Sequence, residues 1–214
     1  MRVKRKKHGK ERLEACSELL IDDIKSEKCD PKSFFSNGNP VRIEIGCGKG
    51  DFIVGTAEKF PNVNFIAVEK ISDVLVVAAE KVKASGLKNI KLCCCDAKDL
   101  TEGLNEGSVD AIYLNFSDPW PKAKHYKRRL TYREFLEGYK KLLKPHGKVL
   151  FKTDNRGLFD FSLPEFEETG FELSELTYDL HSSEYAENNV MTEYERRFSS
   201  LGTPINRVVA TKKD

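Results

Sequence analysis

The sequence predicts an α/β fold built on a seven-stranded, mostly parallel, doubly wound sheet with an antiparallel edge hairpin. Two observations lead to this prediction. From Val41 onward, short runs rich in β-branched residues alternate with helical segments, which is the pattern of consecutive strand–helix–strand units. After Gly170, two further strand-like runs follow with no long helix between them, which indicates antiparallel pairing at the edge of the sheet.

Seven runs are predicted as strands. In chain order they are VRIEI, NFIAVEK, NIKLCCCD, VDAIYLNF, KVLFKTD, FELSELTYDL and INRVVATK. Of the helices between them, the first ends near Phe60 and the next ends before Gly86, which suits a helix C-cap. A further helix over residues 132–143 should be terminated by Pro145 and Gly147.

The N-terminal segment differs from the rest of the chain. Residues 1–12 contain seven Lys or Arg and almost no apolar side chain, so they should form a mobile basic arm that does not pack. A short amphipathic helix is expected over residues 13–24. The sequence therefore divides into residues 1–30, the basic arm with its short helix, and residues 31–214, the sheet domain.

Charge and cysteine usage exclude several classes of protein. Lys and Arg total 36 against 34 Asp and Glu, so the chain is not a binder that is basic everywhere, and the local placement of charge is informative. Six cysteines without a C-x-x-C spacing indicate reduced structural thiols and no metal site. No apolar signal core occurs, and no stretch approaches the ~20 apolar residues of a membrane helix, so a cytoplasmic protein without a membrane partner is expected.

The first predicted strand runs directly into a glycine-rich turn, E-I-G-C-G-K-G, at residues 44–50. Gly46 and Gly48 permit positive φ angles and let a ligand approach the backbone closely. Ligands bind beyond the carboxyl ends of strands in an open parallel sheet, so the acids that end the second and third strands, Glu69 and Asp96, should converge on this turn. Glu69 is placed to hold a ribose diol, and Asp96 to meet a base or its amino group.

The spacing of the glycines distinguishes two classes of cofactor. The G-x-G-x-x-G motif of nicotinamide enzymes is broken after Gly48, where Lys49 and Gly50 follow. The form E-x-G-x-G-x-G resembles instead the first motif of class I S-adenosylmethionine methyltransferases. A glycine turn alone is often structural, and an acid after a strand often caps a helix. Together these features predict S-adenosylmethionine as the cofactor, bound by Gly46, Gly48, Glu69 and Asp96.

The most specific stretch, N-F-S-D-P-W-P-K at residues 115–122, follows the fourth predicted strand. Pro119 and Pro121 flank the only tryptophan and restrict the backbone, so the neighbouring Asp118 should be held still. Five Lys or Arg then fall within residues 122–129, with a histidine and a tyrosine interleaved. This composition suits phosphate contact and base stacking, and the alternative is a solvated charged loop.

The chain resembles the bacterial tRNA (guanine-N7-)-methyltransferase family in five motifs. They are EIGCGKG, NFSDPWPK, the H-x-KRRLT segment that follows it, FKTDN at residues 151–155 and TEYE at residues 192–195. The resemblance covers nearly the whole chain from about Asn37. It implies a Rossmann-like class I methyltransferase fold, S-adenosylmethionine as cofactor and tRNA as partner, with methylation of N7 of the guanosine at position 46 in the variable loop.

The resemblance also implies roles for individual residues. The cofactor site would be lined by Glu44, Glu69, Asp96 and Asp118, and Asp118 would also be the catalytic residue. The substrate-contacting positions are matched by Lys122, Asp154, Thr192, Glu193, Tyr194 and Glu195. The RNA-interacting stretch is matched by Lys124, His125, Tyr126, Lys127, Arg128 and Arg129. Cys47 and Tyr126 depart from the residues that are common in the family, and the N-terminal arm aligns poorly.

The chemistry of guanine N7 restricts what such an enzyme must provide. N7 carries an in-plane lone pair and no proton, so a strong general base is unnecessary, and in-line placement of N7 and the methyl group matters most. The methylated base gains positive charge. A carboxylate such as Asp118 or Asp154 that accepts hydrogen bonds from guanine N1 and N2 would orient the base and stabilise that charge.

Several alternatives stay open at this point. Asp154 is equally placed to cap a helix that begins near Gly157, and residues 192–195 equally suit the polar start of a helix. His181 fits a hydrogen-bonding loop residue better than a catalyst. A methyltransferase acting on a small molecule or protein, and a non-catalytic RNA-binding protein, are the competing functions. The basic loop argues against the first and the acids at three strand ends against the second, and both a monomer and a homodimer are compatible with the sequence.

Overall fold

The computed structural model describes residues 6–213, and the chain forms two compact units, Met1–Asn105 and Glu106–Asp214. The elements of the first unit are, in chain order, α1 (Gly9–Glu14), β1 (Leu20–Ile21), β2 (Val41–Ile45), α2 (Asp51–Lys59), β3 (Asn64–Val68), α3 (Ser72–Ser85), β4 (Ile90–Cys93) and α4 (Asp99–Gly103). Two 3-10 helices, Ser17–Leu19 and Pro31–Phe34, also belong to this unit.

The four strands of the first unit are parallel and follow the order β1–β4–β3–β2. Every residue of β3 is buried, and continuous burial of this kind requires helices on both faces of a sheet. α3 packs with a buried stripe that includes Leu75, Val76 and Ala79. Gly50, at the start of α2, has a φ of 83°, and a Cβ on it would lie 3.0 Å from the Cβ of Ala78. Glycine therefore allows α2 and α3 to approach this closely.

The N-terminal segment departs from the sequence prediction. Residues 1–12 are predicted to form a mobile, unpacked arm, but α1 covers part of them and docks on α3. The guanidinium of Arg12 donates two hydrogen bonds to the carboxylate of Glu80, each 2.7 Å long. The prediction is wrong for this part because a carboxylate far along the chain supplies the partner that the local sequence lacks. Residues 1–5 of the predicted arm lie outside the described residues.

The amphipathic helix predicted over residues 13–24 is also wrong. The segment contains the end of α1, a 3-10 helix and β1. In β1, Leu20 and Ile21 pair in parallel with Leu92 and Cys93 of β4. The apolar residues of this segment therefore extend the sheet, and the described chain has eight strands where seven are predicted.

The second unit begins at the fourth predicted strand. Its elements are β5 (Val109–Asn115), α5 (Arg133–Leu142), β6 (Leu143–Thr153), α6 (Arg156–Glu168), β7 (Phe171–Thr177), α7 (Glu193–Ser199) and β8 (Asn206–Lys212). The strand order is β5–β6–β8–β7, with β5 and β6 parallel and β8 antiparallel to both of its neighbours. The predicted antiparallel pair is confirmed, and β8 lies between β6 and β7. No helix within residues 6–213 is both long enough and apolar enough to cross a membrane.

The boundary between α5 and β6 differs from the prediction. The helix predicted over residues 132–143 is present as α5, but β6 begins at Leu143 and passes through Pro145 and Gly147. A register shift in the pairing of β5 with β6 accommodates the additional residues. Proline and glycine end a helix, but they are tolerated in a strand at an irregularity of this kind.

An aromatic core holds β6, α6 and β7 together. The ring of Phe151 lies 6.0 Å from Phe159 and 6.3 Å from Phe166, centroid to centroid. Phe166 in turn lies 5.8 Å from Phe171 of β7. All four rings are buried, and contacts of this kind contribute about 0.5–1.5 kcal/mol per pair beyond area burial. The core therefore fixes the strand from whose end several candidate site residues project.

Candidate functional site

The glycine turn after β2 is held by backbone hydrogen bonds to the end of β3. The N–H groups of Gly46 and Cys47 both donate to the carbonyl oxygen of Val68, at 2.8 and 3.0 Å. Gly46 and Gly48 have φ angles of 79° and 56°, and a Cβ on either residue would meet no atom within 4 Å. The turn therefore presents open backbone next to the sheet, which is the geometry that a closely approaching ligand requires.

Glu69, immediately after β3, is oriented by two backbone donors. Its Oε1 accepts a hydrogen bond from the N–H of Ile71 at 3.0 Å, and its Oε2 accepts one from the N–H of Gly48 at 3.3 Å. The structure thus brings Glu69 and the glycine turn together, as the sequence predicts. A carboxylate accepts about four hydrogen bonds, so these two leave acceptor capacity for the hydroxyls of a ribose.

Asp96 lies shortly after β4 and is linked to the end of β3 by Lys70. The Nζ of Lys70 donates to Asp96 Oδ2 at 2.6 Å, and the N–H of Lys98 donates to Oδ1 at 3.1 Å. Burial raises the pKa of Asp96, but the hydrogen bonds from Lys70 and Lys98 outweigh it, so the pKa lies below its usual range. Asp96 is therefore ionised at neutral pH and can accept hydrogen bonds.

Glu44 differs from the other two acids because it lies within β2 and is only 1% exposed. The turn next to it contains Cys47, whose thiol is also buried. Burial raises the pKa of Cys47 well above its usual value, and the charges of Glu44 and Glu69 raise it further. The thiol is therefore protonated and serves packing rather than nucleophilic chemistry.

In the second unit, the segment after β5 leaves the sheet through a constrained loop. The N–H of Phe116 donates to the carbonyl oxygen of Lys152 at 2.9 Å, and Phe116 and Trp120 have φ angles of 53° and 43°. Non-glycine residues adopt such angles only where their surroundings enforce them. Arg129 provides part of this constraint, since its guanidinium donates to the carbonyl oxygens of Pro119, at 2.9 Å, and Trp120, at 3.3 Å. Asp118 is exposed on this loop.

The basic segment that follows forms a 3-10 helix, Ala123–Arg128. The guanidinium of Arg128 lies 5.0 Å from the centre of the Trp120 ring, and the ring of His125 meets the same tryptophan edge-on at 5.8 Å. The ring of Tyr126 packs edge-on against Tyr132 at 5.2 Å. The exposed cations of the segment include Lys122, Lys124 and Lys127. Among the predicted RNA-binding residues, His125, Arg128 and Arg129 therefore contact the loop, and Tyr126 packs on Tyr132. Lys124 and Lys127 extend into solvent.

Asp154, Tyr194 and Phe116 come together at the ends of β5 and β6. The phenol of Tyr194 donates a hydrogen bond to Asp154 Oδ2 at 2.8 Å. The ring of Tyr194 lies 5.1 Å from Phe116 and stacks on Phe198 at 4.2 Å. Burial and the hydrogen bond to Asp154 raise the pKa of Tyr194 to about 12, so the phenol stays protonated and remains a donor. A carboxylate beside an aromatic face is the combination that recognises a flat base with N–H donors.

One alternative role for Asp154 is wrong. The N-cap of α6 is Asn155, whose side-chain oxygen accepts from the N–H of Leu158 at 2.8 Å. Asp154 lies just before the cap and takes part in the contact with Tyr194 instead. Asparagine and aspartate are about equally suited to cap a helix, which is why the sequence could not distinguish the two residues.

The segment from Thr192 to Glu195 is the start of α7, as the other alternative proposed. Thr192 Oγ1 accepts from the N–H of Glu195 at 2.8 Å, and Glu195 Oε2 accepts from the N–H of Thr192 at 3.4 Å, which together form a capping box. Glu195 is fully buried, whereas Glu193 and Tyr194 are exposed. Thr192 and Glu195 therefore cap the helix, whereas Glu193 and Tyr194 are open to solvent. His181, which the sequence predicts to be a hydrogen-bonding loop residue, has its Nε2 3.3 Å from Glu195 Oε1.

Two residues of this region were missed by the sequence analysis. Lys152 is buried near the end of β6, and its Nζ donates to Glu195 Oε2 and Asn189 Oδ1, each at 2.8 Å. The only signal in the sequence is a lysine that follows the apolar residues 149–151 of β6, two positions before Asp154. Nothing in the local pattern identifies Asn189, because its partners lie on β6 and α7.

The family of the chain is shown by comparison with known proteins. A family model described as "Putative methyltransferase" matches residues 38–208. A protein of Streptococcus agalactiae serotype III (strain NEM316), named tRNA (guanine-N(7)-)-methyltransferase, is 48% identical over 98% of this chain and 99% of its own length. The protein of the same name from Streptococcus thermophilus (strain CNRZ 1066) is 47% identical over 100% of both chains. The chain belongs to this methyltransferase family.

Solved structures show the fold of this methyltransferase independently. A structure described as an antibiotic-related methyltransferase has a TM-score of 0.59 and 16% identity, covering 100% of this chain and 97% of its own. The 16S rRNA methyltransferase KamB has a TM-score of 0.60 and 16% identity, covering 89% of this chain and 91% of its own. At this identity the likeness concerns the fold alone, and it confirms the predicted Rossmann-like, class I methyltransferase fold.

Proposed function

We propose that this methyltransferase transfers a methyl group from S-adenosylmethionine to N7 of the guanosine at position 46 in the variable loop of tRNA, and that it does so in the cytoplasm. The observation that carries the chemistry is the contact between Asp154 and Tyr194 beside Phe116, in the unit that also contains the basic segment Ala123–Arg128. The name shared by the full-length relatives supports guanine N7 in tRNA as the target. Position 46 rests on the family resemblance of the sequence motifs.

The residues of the first unit fit S-adenosylmethionine. The turn has open space beside Gly46 and Gly48, Glu69 is oriented with acceptor capacity for a ribose diol, and Asp96 is ionised. When bound, S-adenosylmethionine supplies a methyl group on a positively charged sulfur. The residues of this unit that we propose to bind it are Glu44, Gly46, Gly48, Glu69 and Asp96.

The residues of the second unit orient the base. Guanine N7 needs no deprotonation, so the contribution of the protein is to fix the plane and rotation of the ring, which can lower the barrier by several kcal/mol. Asp154 would accept hydrogen bonds from guanine N1–H and N2–H, since its two oxygens can accept these alongside Tyr194. Asp118 would act as the catalytic residue by stabilising the positive charge that the base acquires. The substrate-binding positions that the family resemblance implies are Lys122, Asp154, Thr192, Glu193, Tyr194 and Glu195.

The basic segment would hold the tRNA backbone. The side chains of Lys122, Lys124 and Lys127 are exposed and can neutralise phosphates, which gives affinity that depends on salt but not on sequence. The contact of Arg128 with Trp120 supports a second role for this segment, a cation–aromatic platform on which a base would stack. The proposed RNA-binding residues are Lys124, His125, Tyr126, Lys127, Arg128 and Arg129.

One assay tests the proposed function. The protein is incubated with methyl-labelled S-adenosylmethionine and an unmodified tRNA transcript, the tRNA is digested, and the labelled nucleoside is identified. The expected product is 7-methylguanosine, and a transcript with adenosine at position 46 should take up no label. Label on another nucleoside, or equal labelling of the control transcript, would contradict the proposal.

A further inference from the structure

A buried ion pair joins β6 to α7 in the second unit. Lys152 Nζ lies 2.8 Å from Glu195 Oε2, and the two side chains are 7% and 0% exposed. The same ammonium group also donates to Asn189 Oδ1 at 2.8 Å and to the carbonyl oxygen of Val190 at 3.0 Å. Burying two charges is costly unless their remaining hydrogen bonds are satisfied, and the partners around Lys152 meet this requirement.

The carboxylate of Glu195 is engaged by protein groups on both oxygens. Its Oε1 accepts from Asn189 Nδ2 at 2.6 Å, and its Oε2 accepts from Lys152 and from the N–H of Thr192. The side chain is fully enclosed. A group in this position is poorly placed to accept hydrogen bonds from a base, although it lies in the segment that the family resemblance assigns to the substrate.

The ion pair and the contact between Tyr194 and Asp154 connect the same two segments. Lys152 lies just before Asp154 at the end of β6, and Glu195 directly follows Tyr194 in α7. One connection is buried and charged, and the other is an exposed hydrogen bond of 2.8 Å. Two connections between two segments fix both the position and the rotation of α7, which a single contact does not.

We propose that Lys152 and Glu195 are positioning residues that hold α7 so that the phenol of Tyr194 meets Asp154, and that neither residue contacts the guanine. This inference rests on the proposed function for the identity of the substrate. It changes the role of Glu195 from a substrate ligand to a support for its neighbour. Asn189, which bonds to both members of the pair, belongs to the same support.

Glu195→Gln tests the inference, with Asp160→Asn as the matched control. Glu195→Gln removes the buried charge but keeps the shape of the side chain, and Asp160→Asn removes the charge from an exposed ion pair with Arg156 in α6. Three measurements are made on each protein. They are S-adenosylmethionine affinity by calorimetry, single-turnover methyl transfer at saturating tRNA, and the fluorine NMR signal of Tyr194 in 3-fluorotyrosine-labelled protein, assigned with Tyr194→Phe.

We expect Glu195→Gln to shift or broaden the Tyr194 signal and to slow methyl transfer by roughly 10- to 100-fold, with S-adenosylmethionine affinity unchanged. Asp160→Asn should change none of the three. Slower transfer with an unchanged Tyr194 signal would overturn the inference, because Glu195 would then act on the substrate directly. A wild-type transfer rate together with a wild-type Tyr194 signal would also overturn it.

A milder variant keeps the test decisive if Glu195→Gln fails to fold. Asn189→Ala removes hydrogen bonds to both charges and leaves the ion pair itself, so the Tyr194 signal should shift in the same direction and transfer should slow by a smaller factor. An unchanged signal in this variant would overturn the inference. The NMR measurement requires no activity, so a wild-type protein that fails to methylate tRNA would contradict the proposed function without affecting this result.

Discussion

The turn after β2 and the loop after β5 both begin where a parallel strand ends, and they are held by different means. In the turn, backbone N–H groups donate to Val68 and Glu69, which belong to the end of the neighbouring strand. In the loop, the side chain of Arg129 donates to the carbonyl oxygens of Pro119 and Trp120. The turn is therefore built from backbone and one carboxylate, whereas the loop depends on side chains that come later in the chain.

This difference indicates how substitutions should act in each region. In the turn, glycine is needed for the positive φ angles, and loss of Glu69 should affect a ligand more than the backbone. In the loop, a residue such as Arg129 has a structural duty in addition to any contact with RNA. Substitutions in the turn should therefore change ligand binding with little change in stability. Substitutions in the loop should change both RNA binding and stability.

Asp118→Asn tests the loop and should have the largest effect. Turnover of bound tRNA should fall by roughly 10²–10³-fold, because the amide lacks the negative charge that stabilises the cationic product. The free energy of unfolding should change by no more than ~0.5 kcal/mol, since Pro119 and Arg129 hold the loop. Single-turnover assays and thermal denaturation measure the two quantities. Turnover near the wild-type value would remove the catalytic role.

Glu69→Ala tests the turn. Affinity for S-adenosylmethionine should fall by roughly 10- to 100-fold, which corresponds to the about 1.5–3 kcal/mol of a charge-assisted hydrogen bond. Binding of tRNA should be unchanged. Calorimetry measures the affinity, with NAD as the control ligand for the wild-type protein. Comparable binding of NAD, or an unaltered affinity in the variant, would contradict the assignment of this turn to S-adenosylmethionine.

Lys127→Ala and Arg129→Ala compare a residue that only faces solvent with one that also holds the loop after β5. Lys127 is exposed, so its loss should lower the slope of log affinity for tRNA against log salt by somewhat less than about one unit and leave the melting temperature unchanged. Arg129→Ala should also lower the melting temperature, because the guanidinium bonds to Pro119 and Trp120. Identical melting temperatures for the two variants would show that the loop does not depend on Arg129.

Apart from its effect on guanine binding, Asp154→Asn should have the smallest effect, a change in the one hydrogen bond that Tyr194 donates to Asp154. The pKa of Tyr194 is raised to about 12, so the protonated phenol contributes stability that is present below its ordinary pKa and is lost as the pH rises through about 12. Removing the charge of Asp154 should lower this pKa toward the ordinary value. Phenolate absorbance, taken as the difference between each protein and its Tyr194→Phe counterpart, measures the change, and an unaltered midpoint would contradict the contact.

The elements that could be predicted from the sequence are those defined by local pattern. The glycine turn directly follows β2, and one acid follows each of β3 and β4, so the local sequence shows these features. The antiparallel pair β7–β8 has clear strand periodicity. α1 and β1 could not be predicted, because their partners are Glu80 on α3 and Leu92 on β4. The early start of β6 was missed for a similar reason, since its pairing with β5 overrides the helix-ending character of Pro145.

The site shows the same division. The motifs around Asp118 and Asp154 are visible in the sequence, but the cap of α6 falls on Asn155, and Lys152 was not identified. A buried lysine becomes meaningful only when its partner is known. Glu195 is that partner, and it belongs to a different element, so no spacing rule connects the two.

By itself, the sequence determined the α/β class, the glycine turn with its acids and the family motifs, because each of these depends on residue types at short spacings. Tertiary structure alone decided that α1 docks on α3, that Arg129 supports the loop after β5, and that Tyr194 meets Asp154 while Glu195 is buried against Lys152. The physical reason is that charge pairing, burial and hydrogen bonding between distant segments depend on distances in space, and the folded chain sets those distances.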